Sequence, residues 1–172
     1  MQYCLPLLYR TGGNIDEESF AELMYPWAPD RAGYVYPQDG LLPIFDTVPE
    51  NEMRQPTQHN SRGSLAMPVI KNGLTTGTTV GWLNRLKSLV RHYEYGITFT
   101  SFEMTIVPYG RHGAFSERGD SGSIILDRKG RIVALLTGGG GLTDETDITF
   151  ATSWYKLELH IKETLKGIHL YR

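Results

Sequence analysis

Short segments of alternating or continuous apolar residues run through the second half of the chain and predict β-strands. A half-buried strand alternates apolar with polar residues, and a fully buried one reads as a short apolar run bounded by turn residues. On this basis strands are predicted at 66–70, 78–84, 97–107, 123–126, 132–136 and 148–152. About six short strands at this spacing favour a small barrel or sandwich.

Two segments have the helical period instead. The stripe that follows the last strand has apolar residues three or four positions apart, which predicts an amphipathic C-terminal helix over 154–165. Its members are Trp154, Leu157, Ile161, Leu165 and Ile168. A shorter helix is predicted at Glu17–Met24, with Asn14 or Asp16 as its N-cap.

Glycine and proline divide the chain into two parts. Most of the 19 glycines follow residue 70, whereas most of the nine prolines lie in the first 60 residues. Proline removes a donor from the β-ladder and is confined to edges and turns, so 1–65 is predicted to be irregular and 66–172 to form the β-rich domain. Turns are predicted at 71–73, where Asn72 precedes Gly73, and at 127–130, which ends in Gly130.

Composition narrows the function classes. A chain of 172 residues buries enough surface to fold without disulfides or a structural metal, and the single Cys4 excludes a disulfide framework and cysteine-based zinc sites. The formal charge of −2 gives no basic footprint for nucleic acid. No long apolar run or signal peptide is present, so a cytoplasmic protein without membrane contact, cofactor or metal is expected.

One local pattern carries chemistry, namely Arg118-Gly119-Asp120-Ser121-Gly122-Ser123 directly before a strand. Flanking glycines permit backbone angles that expose the Ser121 hydroxyl and let the Gly119 and Ser121 amides point at one spot. Such an arrangement suits a nucleophile with an oxyanion hole. An ordinary turn between strands is the alternative interpretation of the same residues.

These residues resemble the Gly-Asp-Ser-Gly loop of trypsin-like, chymotrypsin-fold serine peptidases, and the pattern also resembles fungal proteins with a trypsin-like domain. The stretch from Gly73 to Gly81 is similar to the Gly-x-Thr-Thr-Gly-x-x-x-Gly segment that opens the family's second barrel. Thr137-Gly138-Gly139 matches the family's Ser-x-Gly strand, with Thr137 at the serine position. The resemblance covers about residues 66–168 and implies a mostly β fold, a six-stranded antiparallel barrel with a C-terminal helix.

The resemblance also implies roles for single residues. Ser121 takes the nucleophile position, and Gly119 contributes an oxyanion-hole amide. Phe115 lies at the position of the base of the primary specificity pocket, where it argues against a preference for Lys or Arg, although a purely structural core role is favoured. Thr137, Gly138 and Gly139, the strand that pairs with substrate backbone, form one opposing wall of this pocket and Phe150–Thr152 the other. Asp120 turns inward, where some family members pair it with an N-terminus freed by cleavage and others use a different partner.

The base that this chemistry needs is missing from its expected place. A serine nucleophile requires an adjacent base, which in this fold is a histidine followed by an aspartate and then the serine. No histidine precedes His59, and the only aspartate between it and Ser121 is Asp120 of the motif itself. A six-stranded first barrel takes about 80–100 residues, so 1–65 is predicted to be a truncated remnant. Four aspartates in it are candidates for the triad aspartate but have no histidine to orient, namely Asp16, Asp30, Asp39 and Asp46. His92 and His112 are expected in loops or on the surface.

Two further clusters are interpreted as solvated surface. Asp144, Glu145 and Asp147 lie between two strands without the spacing of a calcium loop. The segment 82–92 has three basic residues, Arg85, Lys87 and Arg91, among apolar neighbours and is expected to form a hairpin or loop.

Three functional hypotheses follow. The favoured one is a serine peptidase homologue that lacks its catalytic histidine and does not cleave. The second is an endopeptidase that another chain or a homodimer completes. The third is a non-catalytic module that binds peptide or protein in the old substrate cleft by strand addition.

Overall fold

Six antiparallel strands close into a barrel in the order β3-β4-β5-β8-β7-β6. The computed structural model describes residues 8–10, 15–32, 34, 36, 41–94, 96–110, 113–141 and 147–168. The barrel strands are β3 (Met67–Gly73), β4 (Gly77–Glu94), β5 (Ile97–Pro108), β6 (Ile124–Asp127), β7 (Ile132–Gly140) and β8 (Ile148–Ser153). All six strand predictions and the predicted barrel with its C-terminal helix are confirmed.

The barrel interior is filled by alternate residues of the strands. Met67 and Val69 of β3 point into this core together with Leu83, Ile106 and Ile125, and all five are almost fully buried. Residues between them, such as Ile70, belong to a second cluster on the outside. Strand β3 is therefore covered on both faces, which explains why Val69 and Ile70 form a continuous apolar pair rather than an alternating one.

The N-terminal part covers the outside of the barrel. It contains β1 (Leu8–Arg10) paired with β2 (Leu41–Pro43), α1 (Glu17–Met24), a 3-10 turn (Ala28–Arg31) and α2 (Glu50–Arg54). Phe20 and Met24 of α1 pack with Ile70, Leu126 and Ile132 of the barrel in the outer cluster. The predicted helix Glu17–Met24 is confirmed, and Asp16 caps it by accepting a hydrogen bond from the Ser19 amide at 2.8 Å.

Strands β4 and β5 extend beyond the barrel as a two-stranded ribbon. After a register shift between Leu83 and Lys87, β4 and β5 pair with each other as far as Glu94 and Ile97. Strand β3 pairs with β4 only up to Leu83, and β8 pairs with β5 only at Met104–Ile106. Apolar side chains on the ribbon are exposed, with Leu86 at 76% and Tyr93 at 72%. The sequence predicted a strand that ends at residue 84, so β4 is longer than expected.

Two local predictions were wrong or incomplete. The turn expected at 71–73 lies at 74–76, because Asn72 and Gly73 continue β3 and pair with Thr78 and Gly77. Within 82–92, Lys87 is not a solvated charge. Its ammonium donates to Glu50 Oε1 at 2.8 Å and to the Tyr155 hydroxyl at 2.7 Å, which ties the base of the ribbon to α2 and to the C-terminal helix.

The remaining elements follow the sequence closely. The turn predicted at 127–130 joins β6 to β7, and Gly130 has a positive φ of 86°. The C-terminal helix α3 (Trp154–Thr164) begins directly after β8. Within the described ranges, no helix combines the length and the apolar character needed to cross a bilayer.

Candidate active site

Ser121 lies on an exposed turn between the loop 113–120 and strand β6. Backbone hydrogen bonds fix the residues that follow it. The Gly122 amide donates to the Leu136 carbonyl at 2.8 Å, and the Leu136 amide donates to the Ser123 carbonyl at 3.0 Å. The Ser123 amide donates to the Asp120 carbonyl at 3.0 Å, which closes the turn around Ser121. The hydroxyl is thereby presented to solvent from a rigid support.

Gly119 has a backbone conformation that only glycine adopts without strain. Its φ is +106°, and a β-carbon there would overlap the Thr75 hydroxyl. That hydroxyl donates to the Arg118 carbonyl at 2.8 Å and holds the loop from the other side. Neither the Gly119 nor the Ser121 amide has a hydrogen-bond acceptor among the described residues. Both are therefore available as oxyanion donors, the role predicted for them.

Asp120 points inward and is fully buried. Its partner is Lys71, whose ammonium lies 3.0 Å from Asp120 Oδ2, and neither side chain has any solvent exposure. The carboxylate also accepts from the Thr75 amide at 2.7 Å, the Glu117 amide at 3.1 Å and the Thr76 hydroxyl at 2.6 Å. Burial alone would raise the pKa of Asp120, but these hydrogen bonds and Lys71 hold it well below its ordinary value.

Several glycines and threonines of the Gly-x-Thr-Thr-Gly segment contact the nucleophile loop or leave no room for a β-carbon. A β-carbon at Gly73 would overlap the Asp120 carboxylate, and one at Gly81 would lie 2.8 Å from the Phe115 ring. The Thr75 and Thr76 amides both face Asp120. The segment and the nucleophile loop therefore pack directly against each other and are held together by hydrogen bonds.

A cavity of about 320 Å³ opens beside Ser121. Its described lining residues are Ser116, Glu117, Arg118, Ser121, Leu136, Gly138, Gly139, Gly140, Gly141 and Asp147. Gly138 and Gly139 therefore lie beside the nucleophile position, as the resemblance implies. Thr137 is exposed and donates to the Phe150 carbonyl at 3.2 Å.

Phe115 does not lie in this cavity. It is 1% exposed and packs in the barrel core, where Thr79 donates to its carbonyl at 2.7 Å and its own amide donates to Asp147 Oδ2 at 3.0 Å. This is the core role that the sequence favoured, so the specificity argument drawn from Phe115 has no support in the structure. The cavity is instead bordered by Ser116 and Asp147.

The described histidines make contacts away from Ser121. His59 Nδ1 lies 3.2 Å from Asp30 Oδ1, and Asp30 also accepts from Arg128 at 2.9 Å. His59 forms an isolated antiparallel bridge with Leu65, two residues before β3 begins, whereas the nucleophile loop contacts Lys71, about 13 Å along the strand from its first residue.

The other histidines fit no triad that the structure describes. His92 lies 3.0 Å from the Ser101 hydroxyl and stacks on Phe99 in the ribbon, and His160 is on the exposed side of α3. His112 and His169 lie outside the described residues. None of the three described imidazoles hydrogen-bonds to Ser121.

The acidic cluster predicted as solvated surface falls mainly outside the described residues, which include Asp147 but not Asp144 or Glu145. Among the residues that are described, no three histidine, cysteine, aspartate or glutamate side chains are grouped to hold a metal ion.

Two features of the site were missed from the sequence. The first is Lys71, the one charged residue of strand β3, which follows four buried residues and therefore indicates an interior cation with a partner elsewhere. The second is the His59–Asp30 pair, which lies away from Ser121: Asp30 was a candidate aspartate, but it was not matched with His59 because the family's order places the aspartate after the histidine, whereas Asp30 precedes His59 by 29 residues.

One family model matches part of this chain. The family model described as alphavirus core protein, a peptidase family, matches residues 91–171, slightly under half of the chain. No curated protein matches the sequence.

Solved structures match over a larger part of the chain. Protease A of Thermobifida fusca is 22% identical, with 73% of this chain and 55% of that chain covered and a TM-score of 0.47. A glutamic acid-specific serine protease is 12% identical with coverages of 73% and 55% and a TM-score of 0.49. The inactive form of Rv3671c from M. tuberculosis H37Rv is 15% identical with coverages of 74% and 56% and a TM-score of 0.45.

The chain spans about half the length of these structures. The predicted resemblance to fungal members is not tested by these matches and stays a prediction. The family match and the closed six-stranded barrel together confirm the resemblance to the chymotrypsin-fold serine peptidases.

Proposed function

We propose that this chain is a serine peptidase homologue that binds extended peptide beside Ser121 and does not cleave it on its own. One observation carries the proposal. The nucleophile loop and the cavity beside it are formed, but no imidazole among the described residues hydrogen-bonds to Ser121. An enzyme of this type without one triad member retains only about 10³–10⁴-fold catalysis over water.

The edge of β7 supports peptide binding by strand addition. Strand β6 pairs with β7 only as far as Leu135, whereas β8 continues to pair with it as far as Gly140. Among the described residues, no strand pairs with this edge of 137–140, which borders the cavity. An extended peptide that pairs with such an edge gains main-chain hydrogen bonds, and its side chains reach the neighbouring pocket.

The test combines covalent labelling with peptide binding. We expect no labelling of Ser121 by a fluorophosphonate, because none of the imidazoles that the structure describes contacts its hydroxyl. A fluorescent peptide library should yield binders whose affinity survives Ser121→Ala. Gly138→Leu should weaken them, since the leucine enters open space at the cavity without steric overlap.

Ser19→Leu is the matched control, because Ser19 lines a separate cavity beside α1. It should leave peptide binding unchanged. Labelling of the wild type that is abolished by Ser121→Ala would refute the proposal that the chain is non-catalytic. A library without binders would refute peptide binding.

A second candidate is the nucleophile-bearing half of an endopeptidase that another copy or another chain completes. The two amides at Gly119 and Ser121 that lack acceptors favour it, because oxyanion donors serve acyl transfer rather than binding alone. In the self-completing form, fluorophosphonate labelling should rise with protein concentration across a dimerisation seen by sedimentation. A monomer that stays unlabelled at every concentration argues against that form.

A further inference from the structure

The ribbon has two open edges within the described part of the chain. Strand β3 pairs with β4 only as far as Leu83, and β8 pairs with β5 only at Met104–Ile106. Beyond these points the two strands of the ribbon pair with each other and with no further strand that the structure describes. Alternate residues along such an edge direct their amides and carbonyls outward, where another strand can pair with them.

The outer edge of β5 lacks the charges, prolines and bulges that usually prevent such pairing. Residues 97–102 read Ile-Thr-Phe-Thr-Ser-Phe, without a charged residue, a proline or a glycine. They also pair with β4 residue by residue, without a bulge. β-Branched and aromatic residues favour extended structure, and an uncharged segment does not repel a second copy of itself.

The edge of β4 does have such protecting features. Its register shift between Leu83 and Lys87 interrupts the regular ladder, and Arg85 and Arg91 are exposed. Bulges and charged side chains are the means by which native edge strands avoid pairing with other chains. Self-pairing is therefore directed to β5, and it ends at two copies, because both outer edges of the combined sheet are then β4 edges.

Both faces of the ribbon also carry apolar side chains that are largely exposed. Leu89, Tyr93 and Phe102 lie on one face, and Ile97 and Phe99 lie on the other. Contiguous exposed apolar surface marks an interaction site. A two-stranded hairpin alone is marginally stable, whereas three or more strands with an apolar face are stable. Additional strands beside β5 would therefore stabilise the ribbon.

We propose that a second copy of this chain pairs with the outer edge of β5, so that the two ribbons form one four-stranded antiparallel sheet. Residues 97–103 have no described strand on this edge, and they pair in full when the two-fold axis passes through Thr100. Thr98 then lies opposite the partner's Phe102, and the two Thr100 side chains face each other. Aromatic with β-branched residues and threonine with threonine are favourable cross-strand pairs.

This interface is separate from the cavity beside Ser121. None of the residues 97–103 lines that cavity, so the proposal holds whether or not the chain binds peptide. The contact is isologous and closes on itself, as the interfaces of most dimers do. Below the dissociation constant of the dimer each ribbon is two-stranded, and its amides exchange as those of an isolated hairpin.

Sedimentation of the full chain from micromolar to millimolar concentration tests this inference. The wild type should convert from monomer to dimer. Thr100→Lys places two ammonium groups opposite each other on the axis, and the dissociation constant should rise about fivefold or more. Thr100 is exposed, so the urea midpoint of the variant should match that of the wild type. A wild type that stays monomeric throughout would leave this edge to another polypeptide and overturn the proposal.

Leu89→Lys is the matched control. Leu89 pairs with Phe102 and therefore lies on the same face of the ribbon as Thr100, but on β4, away from the proposed contact. This variant should dimerise like the wild type. Equal weakening by Leu89→Lys and Thr100→Lys would show association through the apolar face instead of the β5 edge and would refute the proposal. Growth beyond the dimer would contradict the closed pair.

A disulfide cross-link locates the axis independently. Directly opposite residues of antiparallel strands have Cα atoms about 4.5–5.5 Å apart, which is within the range of a disulfide. In a Cys4→Ser background, Thr100→Cys should therefore give a covalent dimer on mild oxidation, and Leu89→Cys should give far less. A covalent dimer formed equally well by both variants would count against pairing through β5.

Discussion

Gly73 has no space for a β-carbon, because the Asp120 carboxylate and the Lys71 ammonium occupy it. We expect Gly73→Ala to lower the free energy of unfolding by about 1–3 kcal/mol, the usual cost of overpacking. Urea unfolding measures this loss. Gly138→Ala is the control, since that glycine has open space around it and no positive φ, and its stability should match the wild type.

The ionisation of Asp120 makes a testable contribution at acidic pH. Its pKa is lower in the folded chain than its ordinary value. A carboxyl group of this kind contributes stability that is complete above its unfolded pKa, about 4, and is lost as the pH falls through the folded pKa.

We therefore expect the difference in unfolding free energy between the wild type and Asp120→Asn to be constant from about pH 7 to pH 5 and to shrink below about pH 4. Urea titrations across this range measure it. A difference that already shrinks between pH 7 and pH 5 would contradict the lowered pKa.

At the residue scale, the sequence predicted the turn at Ser121 with its flanking glycines. It did not predict the side chains that hold this turn in place. The Gly-Asp-Ser-Gly pattern is local, so four neighbouring residues were enough to predict the turn. The Lys71–Asp120 pair spans 49 residues, and no local pattern determines which buried charges meet. Phe115 is a further example, because its distance in sequence from Ser121 did not place it in the cavity.

The ribbon formed by β4 and β5 is not paired with any other described strand. Beyond Lys87 its strands pair only with each other, and both of its faces carry exposed apolar side chains. A two-stranded hairpin alone is marginally stable in water. We expect its amides between 89 and 102 to exchange with solvent well before those of β6 and β7 in a hydrogen-exchange experiment.

Equal protection in the ribbon and in β7 would contradict this expectation. The sequence predicted the barrel strands because interior packing imposes alternation where one face is exposed, as in β8, and a continuous apolar run where both faces are covered, as in β3. It did not predict the length of the ribbon, since exposed strands such as β4 after Leu83 need no apolar alternation.

At the scale of the whole molecule, the N-terminal part and the barrel share buried surface. Phe20 of α1 is 1% exposed and lies in the outer cluster with Leu126 and Ile132. We expect Phe20→Ala to cost about 3–5 kcal/mol although it lies outside the barrel. Phe45→Ala is the control, because Phe45 is half exposed and should change stability by less than about 1 kcal/mol.

Intrinsic fluorescence and circular dichroism should both show one transition in the Phe20→Ala urea titration, shifted to lower denaturant. Two separated transitions would contradict a shared core. The domain division between residues 65 and 66, predicted from glycine and proline content, stays a prediction. Side chains from both sides of this boundary pack in one hydrophobic cluster.

The tip of the ribbon is a suitable position for an inserted label. Gly96 lies at the turn between β4 and β5 with nothing within 4 Å of a β-carbon built there. Exposed tips of this kind tolerate insertions. A fluorophore or an affinity tag placed at Gly96 would report on the assembly of this chain with other polypeptides while leaving Ser121, at the far side of the barrel strands, untouched.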